Sequence, residues 1–353
     1  MGSREEAGTV LIAGDGPAGV ETAIRVKKSR PELCLVCVGL GQATPFRWPR
    51  KAAWPAGMGY LQPDQAEESE RTTGWFASTL PWAQALAGKT PGAAHMVEVT
   101  SLHNNGWGHR PGWAEAVATE ELRNRYTPEG WANGFRWRTY VVDPIEAHRD
   151  RVDEATRLGV EFHRENLASL EHVAGLCDAY GAGVVVDALG LGSNMVFGDE
   201  RITGVISHQL RWPNMDPKDM RAVMADTERL YVVSGPNWIY AGATSPADVD
   251  PRYIDKLDLT LSSSNEDRLF SALYRLRPDL AYNLVNNPPE HVVGIRPHRP
   301  EGIRLEPEFG LPGLPPVVHI TGLGNCGWSI FVGAARTAAT YVLDLIGNQV
   351  PTR

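Results

Sequence analysis

The fold of this chain is decided by the stretch Thr9-Val10-Leu11-Ile12-Ala13-Gly14-Asp15-Gly16-Pro17-Ala18-Gly19. Its first five residues, 9–13, are apolar or β-branched and predict a buried strand. Three glycines follow within six residues, and residues 20–26 then place apolar side chains at helical spacing. A strand, a glycine turn and a helix in this order predict a Rossmann-type unit.

Each glycine of this turn has a separate expected role in binding a dinucleotide. Gly14 makes the tight turn, Gly16 lets the backbone approach a pyrophosphate, and Gly19 lets the helix pack closely on the strand. Pro17 and Ala18 begin the helix, whose free N–H groups and partial positive charge attract phosphates. We therefore predict that all five residues bind the cofactor.

One part of the usual dinucleotide site is missing from the sequence. An acidic residue about 20 positions after the glycines normally holds the adenosine ribose. Here the predicted second strand ends in residues 39–42, and no acid occurs between Glu32 and Asp64. Either Gln42 or the backbone replaces the contact, or dinucleotide binding is weakened. Arg50 and Lys51 stand in this acid-free stretch and are further candidates for cofactor binding.

A second glycine-rich turn lies near the other end of the chain. Residues 316–329 read as a strand and a glycine turn, and an apolar helix is predicted over about 330–345. The N-terminus of that helix could face the carbonyl edge of a flavin ring and stabilise negative charge there. Two such turns in one chain favour a flavin over a simple nicotinamide site.

Two stretches of the C-terminal region resemble the D-amino-acid oxidase family of flavoproteins. They are Gly-x-Arg-Pro-x-Arg-Pro at 294–300 and His-x-x-Gly-x-Gly-x-x-Gly at 319–327. Weaker similarity to the same family extends over nearly the whole chain, with further matches at 44–46, 56–58, 158–164 and 184–193.

The resemblance implies an α/β fold with FAD as the cofactor. A Rossmann-like FAD-binding domain would be assembled from residues 1–62, 139–203 and 288–353. It would be interleaved with an antiparallel-sheet α+β substrate domain from residues 63–138 and 204–287. The residues expected to contact FAD, beyond those already named, are Ala56, Gly57, Met58, Gly190, Arg296, Gly322, Gly324, Asn325, Cys326, Gly327, Trp328 and Ser329.

Local patterns within the expected substrate domain support regular structure there. Residues 230–233 and 238–241 are strand-like runs on either side of a plausible hairpin turn. Leu269, Leu273 and Leu276 recur at helical spacing, and Pro278 is expected to end that helix.

The resemblance also implies a reaction and two residues that carry it. Arg296 matches the family arginine that binds the substrate carboxylate, and Tyr231 matches a tyrosine whose hydroxyl touches the same group. The implied reaction transfers hydride from the substrate α carbon to flavin and leaves an imine that water hydrolyses. Oxygen is the expected acceptor and would be reduced to hydrogen peroxide, the substrate being a small amine or amino acid. No metal site is expected.

Two alternatives to this oxidase stay open at the level of the sequence. One is a flavin-dependent dehydrogenase or tailoring enzyme of a biosynthetic pathway, acting on a bulkier substrate. The other is a degenerate flavoprotein fold without catalysis, which the missing acid and the unusual Asp15 would favour. The tryptophans bear on the first alternative, because they either pack a core or line a pocket for a bulky amine: Trp48, Trp54, Trp75, Trp82, Trp107, Trp113, Trp131 and Trp137.

Composition excludes several classes of partner. With 34 basic and 42 acidic residues the formal net charge is -8, which disfavours nucleic acid and anionic membrane surfaces. No signal peptide or apolar run of spanning length is evident, so we expect a cytoplasmic protein.

Cys34 and Cys37 lie in an apolar run that predicts a strand, where they would point to opposite faces. Whether the chain forms a homodimer stays open.

Overall fold

The computed structural model describes residues 8–40, 53–62, 69–103, 112–117, 119–123, 131–216, 220–225, 229–284 and 286–349. The strands are β1 (Thr9–Ala13), β2 (Cys34–Gly39), β3 (Gly59–Tyr60), β4 (Ala94–His103), β5 (Thr119–Arg123), β6 (Asn133–Val142), β7 (Glu161–Arg164), β8 (Ala182–Asp187), β9 (Thr203–Pro213), β10 (Arg221–Ala225), β11 (Leu230–Ser234), β12 (Trp238–Val249), β13 (Glu290–His298), β14 (Arg304–Glu308) and β15 (Val317–Thr321). The α-helices are α1 (Pro17–Ser29), α2 (Ala53–Ala56), α3 (Glu70–Lys89), α4 (Pro144–Arg157), α5 (Leu170–Tyr180), α6 (Gly192–Val196), α7 (Ser263–Leu276), α8 (Pro278–Leu284) and α9 (Gly327–Gln349).

The first sheet carries the glycine turns. In the described part of the chain its order is β14-β15-β8-β1-β2-β7, and only β14 runs antiparallel to its neighbour. Strands β1, β2 and β8 are almost fully buried, as expected for a parallel sheet with helices on both faces. The predicted strand at 9–13 and the helix after it are confirmed.

The second sheet is largely antiparallel. Its described strands run in the order β13-β9-β12-β11-β10-β4-β6-β3, and β5 also pairs with β6. Only the pairing of β10 with β4 is parallel. The predicted hairpin is confirmed as β11 and β12, closed by a bond from the Gly235 N–H to the Trp238 carbonyl at 2.8 Å. The predicted leucine helix is confirmed as α7, and Pro278 begins the next helix.

These two sheets confirm the predicted fold class, an α/β protein with a Rossmann-like parallel sheet and a mainly antiparallel second sheet. Segments 9–39, 161–187 and 304–321 contribute the strands of the first sheet. Strands β3 and β13, which lie in segments predicted for the FAD domain, pair within the second sheet. The exact division of the chain into domains stays a prediction.

Helix α9 is the central helix of the largest core. It packs against α1 and α3, and Ile330, Phe331 and Val342 are at most 1% exposed. By length and apolar composition alone, Gly324–Gly347 could also span a membrane, and 56% of its most apolar window is buried. Burial between other helices accounts for this composition without a bilayer.

The contact between α9 and α3 depends on a glycine. A methyl group at Gly333 would lie 2.3 Å from the Cα of Trp75, so the backbones touch where Gly333 has no side chain. Trp75 is held there by its indole N–H, which donates to the Thr337 hydroxyl at 3.0 Å.

We expect Gly333→Ala to lower the free energy of unfolding by about 2 kcal/mol, because overpacking forces two helix backbones apart. Gly347 lies in the same helix with nothing within 4 Å of an added methyl group. Gly347→Ala is therefore the matched control and should raise stability by about 0.5 kcal/mol through helix propensity. Urea unfolding of the three proteins measures both changes, and equal effects of the two substitutions would contradict the packing argument.

Candidate functional site

A cavity of about 770 Å³ opens at the carboxyl ends of β1 and β8 and extends to the face of the second sheet. Its walls combine residues from both ends of the chain. The predicted site residues that line it are Gly14, Gly16, Pro17, Ala18, Ala56, Gly57, Met58, Gly190, Tyr231, Arg296, Gly322, Gly324, Asn325, Gly327 and Trp328. The structure thus brings together residues separated by more than 300 positions in the sequence.

Three predicted cofactor residues lie behind the cavity wall instead. A methyl group at Gly19 would lie 2.1 Å from the Gly14 carbonyl oxygen, so this glycine permits packing of the turn. The Cys326 thiol is buried and donates to the Leu323 carbonyl at 3.1 Å. The Ser329 hydroxyl donates to the Gln62 carbonyl at 2.8 Å and fastens α9 to residues 60–62. Gln42, Arg50 and Lys51 lie outside the described residues.

The first glycine turn is crowded on its inner side and open on its outer side. Gly14 has φ +114°, and a methyl group there would lie 2.4 Å from the Ala188 carbonyl oxygen. Its N–H donates to the Val38 carbonyl at 2.8 Å, which fixes the turn against β2. At Gly16, by contrast, a methyl group would meet only the Trp54 indole, 3.8 Å away.

Both glycine turns lead into helices whose N-termini face the cavity. Gly16 caps α1 without a side-chain hydrogen bond, and neither α1 nor α9 has an acid in its first turn. No acidic side chain in the first turn of either helix therefore competes for its first backbone N–H groups. Such N-termini bind anions, or oxygens on which negative charge develops.

The turn after β8 forms a further wall and is braced from below. The Asp187 carboxylate accepts from the Ser193 hydroxyl at 2.7 Å and from the Leu189 N–H at 3.2 Å. Its other oxygen lies 2.9 Å from Nδ1 of His319, which is fully buried on β15. These bonds hold the loop with Gly190, whose φ is +60°, against the cavity.

A second group of side chains converges at the far end of the cavity, on the second sheet. Nη2 of Arg296 donates to the Ser207 hydroxyl at 2.8 Å. The Tyr231 hydroxyl lies beside the side chains of Arg296, Ser207 and Gln209 and interacts with all three. Burial raises the pKa of Tyr231, while Arg296 works in the opposite direction, and burial lowers the pKa of Arg296. Tyr231 therefore stays a protonated donor at neutral pH beside a poorly solvated cation.

This group owes its geometry to strand register. Tyr231 on β11 is level with Gly242 on β12, and Gly242 is level with Gln209 on β9. A methyl group at Gly242 would lie 2.1 Å from Cζ of Tyr231, so the ring lies flat over the glycine and reaches β9. Ser207, Gln209 and Gly242 were not predicted, because only the register of strands distant in sequence reveals them.

The tryptophans divide clearly between core and cavity. Among those that the structure describes, Trp75, Trp82, Trp113, Trp131 and Trp137 are at most 9% exposed and pack in the hydrophobic cores. Of the described tryptophans in the predicted set, only Trp54 lines the cavity, together with Trp328 from α9. Trp48 and Trp107 lie outside the described residues. The hypothesis that several of these tryptophans form a substrate pocket is therefore wrong for those five.

These features define a dinucleotide-dependent redox enzyme of the Rossmann type. Two glycine turns, each followed by a helix N-terminus, line one cavity, and a polar cluster suited to a second ligand lies where the cavity meets the second sheet. The bare glycine turn at 14–19 fits a pyrophosphate, and the N-terminus of α9 fits the carbonyl edge of a flavin ring.

Comparison with known proteins gives the family. Residues 9–341 match the model of the DAO family, described as FAD dependent oxidoreductase, and the chain belongs to this family. The D-amino-acid oxidase of Rubrobacter xylanophilus is 26% identical over 342 residues, covering 93% of this chain and 94% of the relative. The protein is thus an FAD-dependent oxidoreductase, which removes the alternative of a fold without catalysis.

Solved structures show the same fold over almost the whole chain. The L-proline dehydrogenase from P. horikoshii superposes with a TM-score of 0.72 at 12% identity, covering 96% of this chain and 94% of that one. The glycine oxidase from Bacillus cereus gives 0.71 at 14% identity, covering 97% and 95%.

A buried histidine lies beside the first glycine turn, and its lowered pKa bears on how stability changes with pH. His148 on α4 is 2% exposed, packs against Trp54 with tilted rings whose centroids are 4.2 Å apart, and donates from Nε2 to the Asp15 carbonyl at 2.7 Å. Burial lowers its pKa from 6.5 to about 4, against a smaller opposing effect of that hydrogen bond.

The lowered pKa predicts how stability depends on pH. Between pH 6.5 and 4 the unfolded chain takes up a proton that the folded histidine does not, so His148 costs stability as the pH falls. The loss should approach roughly 3 kcal/mol at pH 4. Urea unfolding over this range should show a shallower decline for His148→Gln than for the wild type. The exposed His163→Gln is the control, and parallel curves for all three would refute the assignment.

Proposed function

We propose that this enzyme is an oxidase of an amine or amino acid that carries a carboxylate. The observation that carries the proposal is the partly buried guanidinium of Arg296, placed with the hydroxyls of Tyr231 and Ser207 at one end of the cofactor cavity. Gly57 of the expected flavin wall borders this group, since a methyl group there would lie 3.0 Å from Nε2 of Gln209.

The chemistry of Arg296 favours an anionic substrate group. Burial disfavours its positive charge, and a carboxylate that enters the same desolvated space offsets this cost. A planar guanidinium presents parallel N–H groups that match the two oxygens of a carboxylate. The hydroxyl of Tyr231, kept protonated by burial, adds a third donor.

An acceptor for the amine lies next to this anion site. Gln209 is 7% exposed and lines the cavity, and its Oε1 has no hydrogen-bond partner among the described residues. A buried carbonyl oxygen without a donor is costly, so a ligand N–H there would be favourable. Ser207 and Gln209 project from the same face of β9, which places an anion donor and an N–H acceptor side by side.

These positions suit oxidation at the carbon between carboxylate and amine. When bound, FAD supplies the acceptor for a hydride and its two electrons. The protein holds the carboxylate, keeps the amine uncharged by desolvation and orients the α C–H bond. A proton then leaves the nitrogen for solvent, and the imine that forms is hydrolysed by water. We expect oxygen to accept the electrons and two protons to give hydrogen peroxide.

The relatives support the amine class. The D-amino-acid oxidase and the glycine oxidase are both named for the oxidation of amino acids. The L-proline dehydrogenase shares the fold but is named as a dehydrogenase, so a flavin dehydrogenase with another acceptor is the second candidate.

Peroxide release separates these two candidates. The purified, yellow protein should contain about one FAD per chain and release one peroxide for each substrate oxidised. A screen of D-amino acids, glycine derivatives, bulky amines and α-hydroxy acids tests the substrate class at the same time. Substrate loss without peroxide, but with reduction of an added dye, would favour the dehydrogenase, and turnover of hydroxy acids alone would contradict an amine substrate.

Arg296→Leu tests the carboxylate site. We expect kcat/KM for carboxylated amines to fall about 100- to 1,000-fold, because a desolvated charge pair is lost. Activity on amines without a carboxylate should change little, and the FAD content should stay the same.

Arg252 also lines the cavity but is exposed and paired with Asp250. Arg252→Leu is therefore the control, with an expected change below about twofold. An equal loss on both substrate classes for Arg296→Leu would argue against carboxylate recognition.

A further inference from the structure

The end of β2 is where the missing ribose carboxylate would be expected. In dinucleotide sites of this type the acid follows the glycine turn by about 20 residues and ends the second strand. Gly39 is the last residue of β2 and lies 20 positions after Gly19, the last glycine of the turn. A residue without a side chain thus occupies the place of the acid.

A carboxylate nevertheless occupies the space next to Gly39. A methyl group on Gly39 would lie 2.2 Å from Oδ1 and 2.3 Å from Cγ of Asp15. The carboxylate of Asp15 therefore fills the volume into which a side chain at position 39 would project. Asp15 and Gly39 both line the cavity, as does Leu40 after them.

The backbone around this contact is fixed from three sides. The Gly14 N–H donates to the Val38 carbonyl at 2.8 Å, and the Glu165 N–H donates to the Gly39 carbonyl at 2.8 Å. His148 donates to the Asp15 carbonyl at 2.7 Å. The pKa of the buried Cys37 thiol on β2 is raised by burial and then by the negative charge of Asp15. This second effect agrees with a carboxylate lying against the end of the strand.

We propose that Asp15 supplies the carboxylate that binds the adenosine ribose of FAD, in place of an acid at the end of β2. In this arrangement the acid stands on the glycine turn instead of at the strand end, and the missing side chain of Gly39 leaves room for it. This proposal rests on FAD as the cofactor and not on the substrate proposed above.

The nature of the group favours ribose hydroxyls over phosphates as its ligand. An ionised carboxylate only accepts hydrogen bonds, so hydroxyl groups satisfy it and a phosphate would be repelled. Glu165 is the other carboxylate among the described residues that line the cavity, and it accepts from Nε2 of His172 at 2.7 Å. Of these two acids, it is Asp15 whose carboxylate fills the side-chain volume at position 39.

The first test measures cofactor affinity rather than activity. Apoprotein is titrated with FAD, with flavin fluorescence as the readout, and thermal unfolding of each apoprotein checks that it folds. Asp15→Asn and Asp15→Ala should each bind FAD about 10- to 100-fold more weakly, because charge-assisted hydrogen bonds to the ribose are lost. Asp153→Asn, which removes an exposed carboxylate from α4, should leave the affinity unchanged.

FAD analogues with 2′-deoxy- or 3′-deoxyadenosine identify the group that is bound. The wild type should bind at least one of them about tenfold or more weaker than FAD, and Asp15→Ala should lose this discrimination. Tighter FAD binding by Asp15→Ala, or discrimination that persists in it, would overturn the proposal. Loss of the discrimination in Gln42→Ala instead of Asp15→Ala would also overturn it.

Exchanging the two positions tests the structural relationship directly. Gly39→Ala should weaken FAD binding in the wild type by displacing the carboxylate, but should add little in the Asp15→Ala background. The double variant Asp15→Ala/Gly39→Glu restores an acid at the strand end and should recover most of the affinity and the ribose discrimination. Equal losses of affinity from Gly39→Ala in both backgrounds would contradict the proposed contact between Asp15 and position 39. So would a double variant that recovers neither affinity nor ribose discrimination.

Discussion

The close approach of three strand ends at the carboxyl edge of the parallel sheet is the constraint on which the site depends. The first turn passes so near the chain after β8 that a methyl group at Gly14 would lie 2.4 Å from a carbonyl oxygen of Ala188. Gly19 then brings α1 against the turn itself. Because nothing bulky stands at this edge, the N-terminus of α1 reaches the cavity, and the loop with Gly190 can close its other wall.

A similar constraint shapes the opposite end of the cavity, on the second sheet. Tyr231 belongs to β11, yet its hydroxyl interacts with side chains of β9 and β13, and β12 lies between β11 and β9. It crosses β12 only because Gly242 offers no side chain. Both ends of the cavity thus rely on glycines, but for different reasons: at one end a turn requires them, and at the other an aromatic ring must lie flat on the sheet.

Local signals in the sequence predicted much of this structure. The run at 9–13, the hairpin at 230–241 and the leucine helix were found because hydrophobic period and turn residues act over short distances. The sequence left open whether its clustered tryptophans pack a core or line a pocket, because an aromatic residue suits both. The structure places Trp75, Trp82, Trp113, Trp131 and Trp137 in the cores. Gln209 and Gly242 carry no local signal, since their importance arises from register between strands about 30 residues apart.

The absence of an acid after Glu32 is a second case in which the sequence alone could not reveal the structure of the site. Its absence is evident in the sequence, but the position of Asp15 against Gly39 depends on how the turn folds over β2. The charge of the site then follows a simple order along the cavity, with Asp15 at one end, the bare N-terminus of α1 next to it, and Arg296 at the far end. A chain of net charge -8 attracts no anion through its overall field. The proposed binding of a pyrophosphate and a carboxylate therefore requires directed donors, which would be the backbone N–H groups of the glycine turn and the partly buried guanidinium of Arg296 on the second sheet.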